Sequence, residues 1–233
     1  MKKRYFKGSQ SLKDFFGTIK YKINFAKEHP HYFNPEGLLI FCGAQGQGKT
    51  LSAVQYIKNI CAEYPKAILV TNTTINGLPD HTEVIEYDGI ESLKTISNGE
   101  YGVIYFIDEI HLEFNSLESK NIDIDVMIEI AQQRKQRKHI VGTTQIYMRM
   151  AKPLREQVRN IVLCRKVLGQ CQFNKLIDGL TAVEENGKLK ANVRTRTFFF
   201  HTPENYGSYD TFAKMKRYND LWQGAPRKEI ITV

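Results

Sequence analysis

Residues 43–50 bring glycines, a lysine and a threonine together in a spacing that suits phosphate binding. They read Gly-Ala-Gln-Gly-Gln-Gly-Lys-Thr and fit the pattern G-x-x-x-x-G-K-[ST]. Glycines let the backbone curl so that successive N–H groups point inward, and the N-terminus of a following helix adds partial positive charge. Lys49 can then reach the β- and γ-phosphates of a nucleotide, and the Thr50 hydroxyl can coordinate Mg2+. The predicted nucleotide-binding residues are Gly43, Ala44, Gln45, Gly46, Gln47, Gly48, Lys49, Thr50 and Leu51.

Two polar sites follow apolar runs that are typical of buried strands. Asp108 and Glu109 come directly after the run 103–107, and Gln145 comes after the run 140–144. An aspartate in this position can hold the Mg2+ shell, and the adjacent glutamate can act as a general base toward water. Gln145 can sense the γ-phosphate or orient the water, because carboxyl ends of parallel strands line the ligand crevice. The alternatives are an acidic pair that caps a turn and an ordinary loop amide.

Positive charge is concentrated in residues 131–166, which contain ten basic residues and one acidic residue. The apolar spacing predicts a helix over 123–138, and Arg134 and Arg137 extend its apolar stripe. An arginine at such an edge can reach the site of a neighbouring subunit, so we predict that Arg134 or Arg137 is an arginine finger. Arg155 and Arg159 are rival candidates. A solvated basic helix face remains the alternative for the whole cluster.

The same segment has a second possible role in contacting DNA. Arg149, Lys152, Arg155 and Arg159 follow the strand 140–144, and Tyr147 and Met148 lie among them. Cations attract phosphate and an aromatic ring can stack on a base, so salt-sensitive binding without sequence preference is expected. Residues 1–31 are also basic. They can contact DNA, an adjacent subunit, or a capsid or membrane surface, and the sequence does not choose among these.

Short apolar runs alternate with helical patterns along the middle of the chain. Runs at 37–42, 67–70, 103–107, 140–144 and 161–164 predict strands, and 50–62 and 90–97 predict helices. Alternation of this kind predicts an α/β fold with a mainly parallel sheet and helices on both faces. Glu184 to Lys188 signal a hairpin turn, with 193–200 as its return strand. The domain prediction is a basic aromatic segment 1–34, a core 35–168 and a C-terminal extension 169–233 that contains the hairpin.

Composition excludes several classes of protein. The chain has 233 residues, 42% hydrophobic and 25% charged, which is ordinary for a globular protein. No apolar run approaches the ~18 residues that span a bilayer, and the N-terminus does not open a signal peptide. The four cysteines have no C-x-x-C spacing, and the histidines form no metal-binding spacing with them. A reducing compartment with free thiols is therefore expected.

Taken together, the phosphate loop, the strand ending in Asp-Glu and the strand ending in Thr-Thr-Gln resemble the FtsK–HerA superfamily of P-loop ATPases. The chain looks most like the Zot-like (zonular occludens toxin N-domain) and viral genome-packaging members, over roughly residues 36–166. The resemblance implies a RecA-like core, ATP with Mg2+, and a ring, often a hexamer, that moves DNA. It assigns Lys49, Thr50, Asp108, Glu109 and Gln145 to the lysine, metal, water-activating and sensor positions. Zot-related phage proteins generally have a membrane span after this domain, and its absence here favours a soluble motor.

The expected function is an ATP-driven DNA translocase that packages a viral genome in the host cytoplasm. Its expected partners are DNA, further copies of the chain, and capsid or other virion proteins, with virion association as an option. The alternatives are a Zot-like phage assembly or export ATPase and a nucleotide-gated assembly protein without fast turnover. A P-loop kinase is a further rival, which would need a lid and an acceptor pocket that the sequence does not reveal.

Overall fold

A computed structural model describes residues 12–35, 37–117, 122–185 and 187–209. The chain divides into two compact units, residues 1–32 and 33–233. In the first unit, helix α1 (Leu12–Glu28) carries Phe15, Phe16 and Ile19 on an apolar stripe at helical spacing, and all three are exposed.

The second unit contains the remaining elements. Its helices are α2 (Lys49–Glu63), α3 (Ser92–Thr95), α4 (Ile124–Gln132), α5 (Lys152–Arg155) and α6 (Pro203–Tyr206). Its strands are β1 (Leu38–Cys42), β2 (Ile68–Thr71), β3 (Glu83–Glu86), β4 (Val103–Ile107), β5 (Lys138–Thr144), β6 (Val158–Val167), β7 (Cys171–Asp178), β8 (Val183–Glu185), β9 (Lys188–Lys190) and β10 (Val193–Phe200).

Eight of the described strands form one sheet, in the order β10-β7-β6-β1-β5-β4-β2-β3. The strands from β6 to β3 in this order run parallel to one another, whereas β7 is antiparallel to both β6 and β10. Strand β5 lies between β1 and β4 and runs parallel to both. The segments that follow these three strands therefore begin at the same edge of the sheet. This arrangement brings the phosphate loop, the acidic pair and Gln145 to one edge.

Each face of the sheet is covered by helices. Leu38 and Ile40 of β1 pack into a core with residues of α3, α4 and α5, whereas Leu39 and Phe41 pack against α2. Successive side chains of a strand point to opposite faces, so continuous apolar runs such as 38–42 are buried on both sides. The predicted α/β class, with a mainly parallel sheet and helices on both faces, is confirmed.

Two predicted elements differ in the structure. The helix predicted over 123–138 ends at Gln132, and the chain then turns so that Arg137 has a φ of 58° before β5 begins at Lys138. The buried Lys138 ammonium donates to the Leu93 carbonyl and lies 3.1 Å from Glu129 Oε2, which holds the start of the strand inside the protein. No glycine or proline marks this turn in the sequence.

The second difference is the partner of the C-terminal strand. The hairpin signalled by Glu184 to Lys188 is present, but its return strand is β9. The residues 193–200 instead form β10, which pairs with β7 in the main sheet. The prediction of 193–200 as the return strand of that hairpin is therefore wrong.

Candidate nucleotide site

The phosphate loop joins β1 to α2 and has little space around two of its three glycines, Gly43 and Gly48. Gly46 and Gly48 have φ values of 74° and 77°, which side chains rarely adopt. A Cβ at Gly48 would lie 2.0 Å from Gln172 Oε1, and one at Gly43 would lie 2.7 Å from the Cys164 carbonyl oxygen. The sequence Gly-x-x-Gly-x-Gly is thus required both by backbone conformation and by the neighbouring strands.

Asp108 follows β4 and is held by two hydroxyl groups. The Thr50 hydroxyl donates to Asp108 Oδ1 at 3.0 Å and the Thr143 hydroxyl donates to the same oxygen at 2.5 Å. The Asn72 side chain forms hydrogen bonds with both backbone groups of Asp108: it donates to the carbonyl and accepts from the N–H. Burial raises the pKa of Asp108, and these two hydroxyl donors partly oppose the rise.

Glu109 lies at the centre of the predicted site. Its Oε1 is 3.9 Å from Lys49 Nζ and accepts a hydrogen bond from Gln145 Nε2 at 3.4 Å, and its Oε2 is 3.2 Å from His111 Nδ1. Its backbone has a φ of 51°, and its N–H donates to the Thr143 hydroxyl. A non-glycine residue in this left-handed region costs about 1–2 kcal/mol. The surrounding contacts therefore fix a conformation that aims the carboxylate toward the lysine of the phosphate loop.

The sites suggested by sequence thus meet in space. The structure brings Lys49, Thr50, Asp108, Glu109 and Gln145 into one connected set of contacts. His111 joins this set beside Glu109, and burial lowers the pKa of His111, so its neutral form is favoured. A carboxylate beside a buried lysine, a sensor amide and a glycine-rich loop is an arrangement that can bind a triphosphate and activate water.

Three supporting residues were missed by the sequence analysis. Asn72 follows β2 at the same edge of the sheet, and that position was a usable signal. Thr143 stands in the Thr-Thr-Gln motif at the end of β5, but the sequence analysis gave a role only to Gln145. Gln172 on β7 donates from Nε2 to the Gln47 carbonyl at 3.1 Å, and nothing local in the sequence links these two segments.

The donors beside the phosphate loop fit Mg2+. Thr50 Oγ1 and Asp108 Oδ1 are hard oxygen atoms 3.0 Å apart. Within the described residues, no group of three or more His, Cys, Asp or Glu side chains forms a separate metal site. Two oxygens next to a phosphate loop suit a magnesium ion, which usually keeps several waters and shares substrate phosphates.

Arg134 and Arg137 lie away from this edge. Both precede β5, whereas Gln145 follows it, and the seven residues of β5 span roughly 20–25 Å. Arg134 is exposed in the turn after α4. Within one chain these arginines are therefore remote from Glu109, so a catalytic role for either would need a second copy.

In the basic segment after β5, several side chains contact other parts of the protein. Tyr147 is buried, with its hydroxyl donating to the Arg155 carbonyl, so its ring does not offer a stacking surface. Arg155 Nη1 contacts Met148 Sδ at 2.8 Å. Lys152 and Arg155 line a cleft of about 730 Å³ that faces the β8–β9 hairpin.

The comparison with solved structures identifies the fold. The crystal structure of the N-terminal domain of zonular occludens toxin from Neisseria meningitidis matches with a TM-score of 0.53 and 17% identity, over 75% of this chain and 98% of that chain. This chain shares that fold. The genome packaging NTPase B204 of Sulfolobus turreted icosahedral virus 2, bound to AMPPCP, has a TM-score of 0.48 and 14% identity over 68% of this chain and 98% of that one. No protein-family model and no curated protein sequence matches the chain.

The likeness to the zonular occludens toxin domain establishes an α/β fold with a mainly parallel sheet, shared with that domain. Across the residues that the structure describes, no helix is long and apolar enough to cross a bilayer.

Proposed function

We propose that the protein is an ATP-driven DNA translocase that packages a viral genome. The observation that carries this proposal is the convergence of Glu109 with Lys49 and Gln145 beside the phosphate loop. A site built only to hold phosphate needs no carboxylate next to its lysine. A carboxylate poised there suits the activation of water for hydrolysis.

Each residue has a role that follows from its position. The backbone of residues 43–50 cradles the phosphates and Lys49 neutralises their charge. Glu109 takes the proton of the attacking water, and Gln145, which donates to Glu109, orients that water or registers the γ-phosphate. When β5 responds to loss of the γ-phosphate, the basic segment that follows Gln145 moves with it.

Thr50 and Asp108 would hold Mg2+ with the phosphates. The ion would supply positive charge that offsets the charge developing on the transferred phosphoryl group. Thr143 keeps Asp108 oriented toward Thr50.

The proposal includes a homo-oligomeric ring, with a hexamer as the expected form. Arg134 and Arg137 lie roughly 20–25 Å from Gln145 within a chain, so as arginine fingers they would act on the neighbouring subunit. Arg155 and Arg159 remain rivals. DNA would contact Arg149, Lys152 and Arg155 without sequence preference, and capsid or virion proteins in the host cytoplasm would anchor the ring.

The experiment that tests this function is a steady-state ATPase assay with and without DNA. We expect Mg2+-dependent turnover that DNA stimulates, and a loss of about 10²- to 10⁴-fold in Glu109→Gln, because the amide cannot accept the proton. Lys49→Ala should lose nucleotide binding as well. Full activity in Glu109→Gln would contradict the assigned base.

Two outcomes would favour the rival functions. ATP-dependent oligomerisation without turnover would indicate an assembly protein, such as a phage assembly or export factor. Transfer of phosphate to an added metabolite would indicate a kinase.

A further inference from the structure

The antiparallel end of the sheet has one face that exposes aromatic and basic side chains. On one face of β6 and β7, Val162 and Leu176 pack toward α2. Ile161 and Ile177 lie on the opposite face and belong to the second core. Because successive side chains of a strand point to opposite faces, every second residue counted from Ile161 and Ile177 lies on the same face as these two. The aromatic-basic face, as we call it, consists of Arg165, Phe173, Lys175, Arg196, Phe198 and Phe200.

The three phenylalanines form a continuous exposed cluster. The rings of Phe173 and Phe198 have centroids 4.9 Å apart, and those of Phe198 and Phe200 are 4.7 Å apart. Their exposed fractions are 45%, 48% and 62% for Phe173, Phe198 and Phe200. Exposed, adjacent aromatic residues on a sheet are unusual unless another molecule covers them.

Cations flank the rings in register. Arg165 lies directly opposite Phe173 across β6 and β7, and Lys175 lies opposite Arg196 across β7 and β10. The strand segments 163–167, 171–175 and 196–200 contain four basic residues and no acidic one. The partner that complements this face is therefore an anion with flat apolar surfaces.

Single-stranded nucleic acid has this chemistry. Its bases expose faces that stack on aromatic rings, and its phosphates follow at the spacing of a backbone, whereas a duplex hides its base faces. We propose that the aromatic-basic face binds single-stranded DNA. The proposal rests on the proposed function only for the choice of DNA.

The position of this face links it to the nucleotide site. Phe173 follows Gln172 on β7, and Gln172 Nε2 donates to the Gln47 carbonyl of the phosphate loop. Gln172 is fully buried, and its Oε1 lies 3.1 Å from His201 Nε2 just beyond β10. Strands that carry the stacking rings are thus held directly against the loop that would bind ATP.

Fluorescence anisotropy with a labelled oligothymidylate of about 15 nucleotides tests the proposal. Measurements are made without ATP on the full chain and on Phe198→Ala, Phe198→Tyr and Val84→Ala. We expect Phe198→Ala to weaken binding about tenfold or more, since one stacked base is lost. Phe198→Tyr should bind like the parent, as should Val84→Ala, which truncates an exposed apolar side chain of β3 at the opposite edge of the sheet.

The contribution of the basic residues is tested by the salt dependence of oligothymidylate binding. Lys175→Gln and Arg196→Gln should each reduce the slope of log affinity against log salt by about 0.7. A duplex of the same length should show little effect of Phe198→Ala. Thermal melting of every variant checks that the fold is retained.

Two results would overturn the proposal. One is equal oligothymidylate affinity in the parent and Phe198→Ala. The other is a Phe198→Ala variant that loses self-association but keeps its DNA affinity, since a second copy of the chain would then cover this face. Because binding is measured without turnover, an inactive parent that still binds through Phe198 would contradict only the proposed ATPase function.

Discussion

At the scale of single residues, one hydroxyl contacts the Asp108 carboxylate and the Glu109 backbone in the candidate nucleotide site. Thr143 donates to Asp108 Oδ1 and accepts from the Glu109 N–H. We expect Thr143→Val to lower ATPase kcat by about 10- to 100-fold, because valine keeps the shape but removes the hydroxyl that orients the metal ligand and the base. Steady-state turnover at saturating ATP and Mg2+ measures this.

The matched control is Thr143→Ser, which keeps the hydroxyl and removes a methyl group. Serine should retain most of the activity. If the serine and valine variants lose equal activity, packing inside β5 is the cause and the hydrogen bonds are not.

Asp108 illustrates the cost of a buried carboxylate. Burial raises its pKa, so the folded state binds its proton more tightly than the unfolded state does. This difference reduces stability as the pH rises from the unfolded value of 3.8 through the raised folded value. We expect Asp108→Asn, without Mg2+, to melt at a higher temperature than the parent at pH 7.5 while losing ATPase activity.

The pH dependence of this increase in melting temperature gives a second test. The difference in melting temperature should shrink as the pH is lowered, because the parent then also carries an uncharged side chain at 108. A gain that stays constant from pH 7.5 to acid would show that the charge is not its cause.

The sequence predicts those site residues whose local pattern marks their position. Lys49, Thr50, Asp108 and Glu109 stand in a loop or directly after an apolar run, so their neighbours reveal their place. Thr143 could not be identified in this way, because its function depends on the side chains of a different strand. Polar residues inside strands are common, and the sequence does not show what they face.

At the scale of elements, β7 supports the phosphate loop through one amide. Gln172 is fully buried, donates to the Gln47 carbonyl and fills the space beside Gly48. We expect Gln172→Leu to lower the free energy of unfolding by about 1–3 kcal/mol, because buried polar groups lose their partner. Nucleotide affinity, measured by isothermal titration, should fall with it.

Gln170→Leu provides the control for this prediction. Gln170 is exposed on the turn that precedes β7. Its replacement should leave both unfolding and nucleotide affinity within error of the parent, and an equal effect in both variants would argue against a specific role for the Gln172 amide.

The elements also show where sequence patterns fail. Strands β1, β4 and β5 were predicted because burial on both faces produces apolar runs. Strand β7 has no continuous apolar run, and it pairs with β10 although the β8–β9 hairpin lies between these two strands in the chain. Helix α4 ends at Gln132 and Lys138 is buried at the start of β5, which the apolar spacing over 123–138 did not reveal.

At the scale of the whole molecule, the arginine prediction can be tested by mixing inactive subunits. Arg134→Ala and Glu109→Gln are each expected to lose activity, with a finger contributing about 10³- to 10⁵-fold. A mixture should recover turnover, because some interfaces then pair an intact site with an intact arginine. The same mixture with Arg137→Ala, Arg155→Ala or Arg159→Ala identifies which arginine acts.

The control mixture is Lys49→Ala with Glu109→Gln. Both changes damage the same site of one subunit, so their mixture should stay inactive at every ratio. Absence of recovery in every arginine mixture would exclude catalysis across an interface.

Finally, β10 borders the main sheet, and among the described strands only β7 pairs with it. Its outer backbone groups form a template onto which the same strand of another copy can add. Along β10, Arg194 is paired with Asp178 at 2.8 Å, whereas Arg196 places a positive charge near this border, and charge repulsion between copies discourages such polymerisation. Removing the Arg196 charge should therefore increase light scattering in concentrated samples, so this arginine also affects how long the purified protein stays in solution.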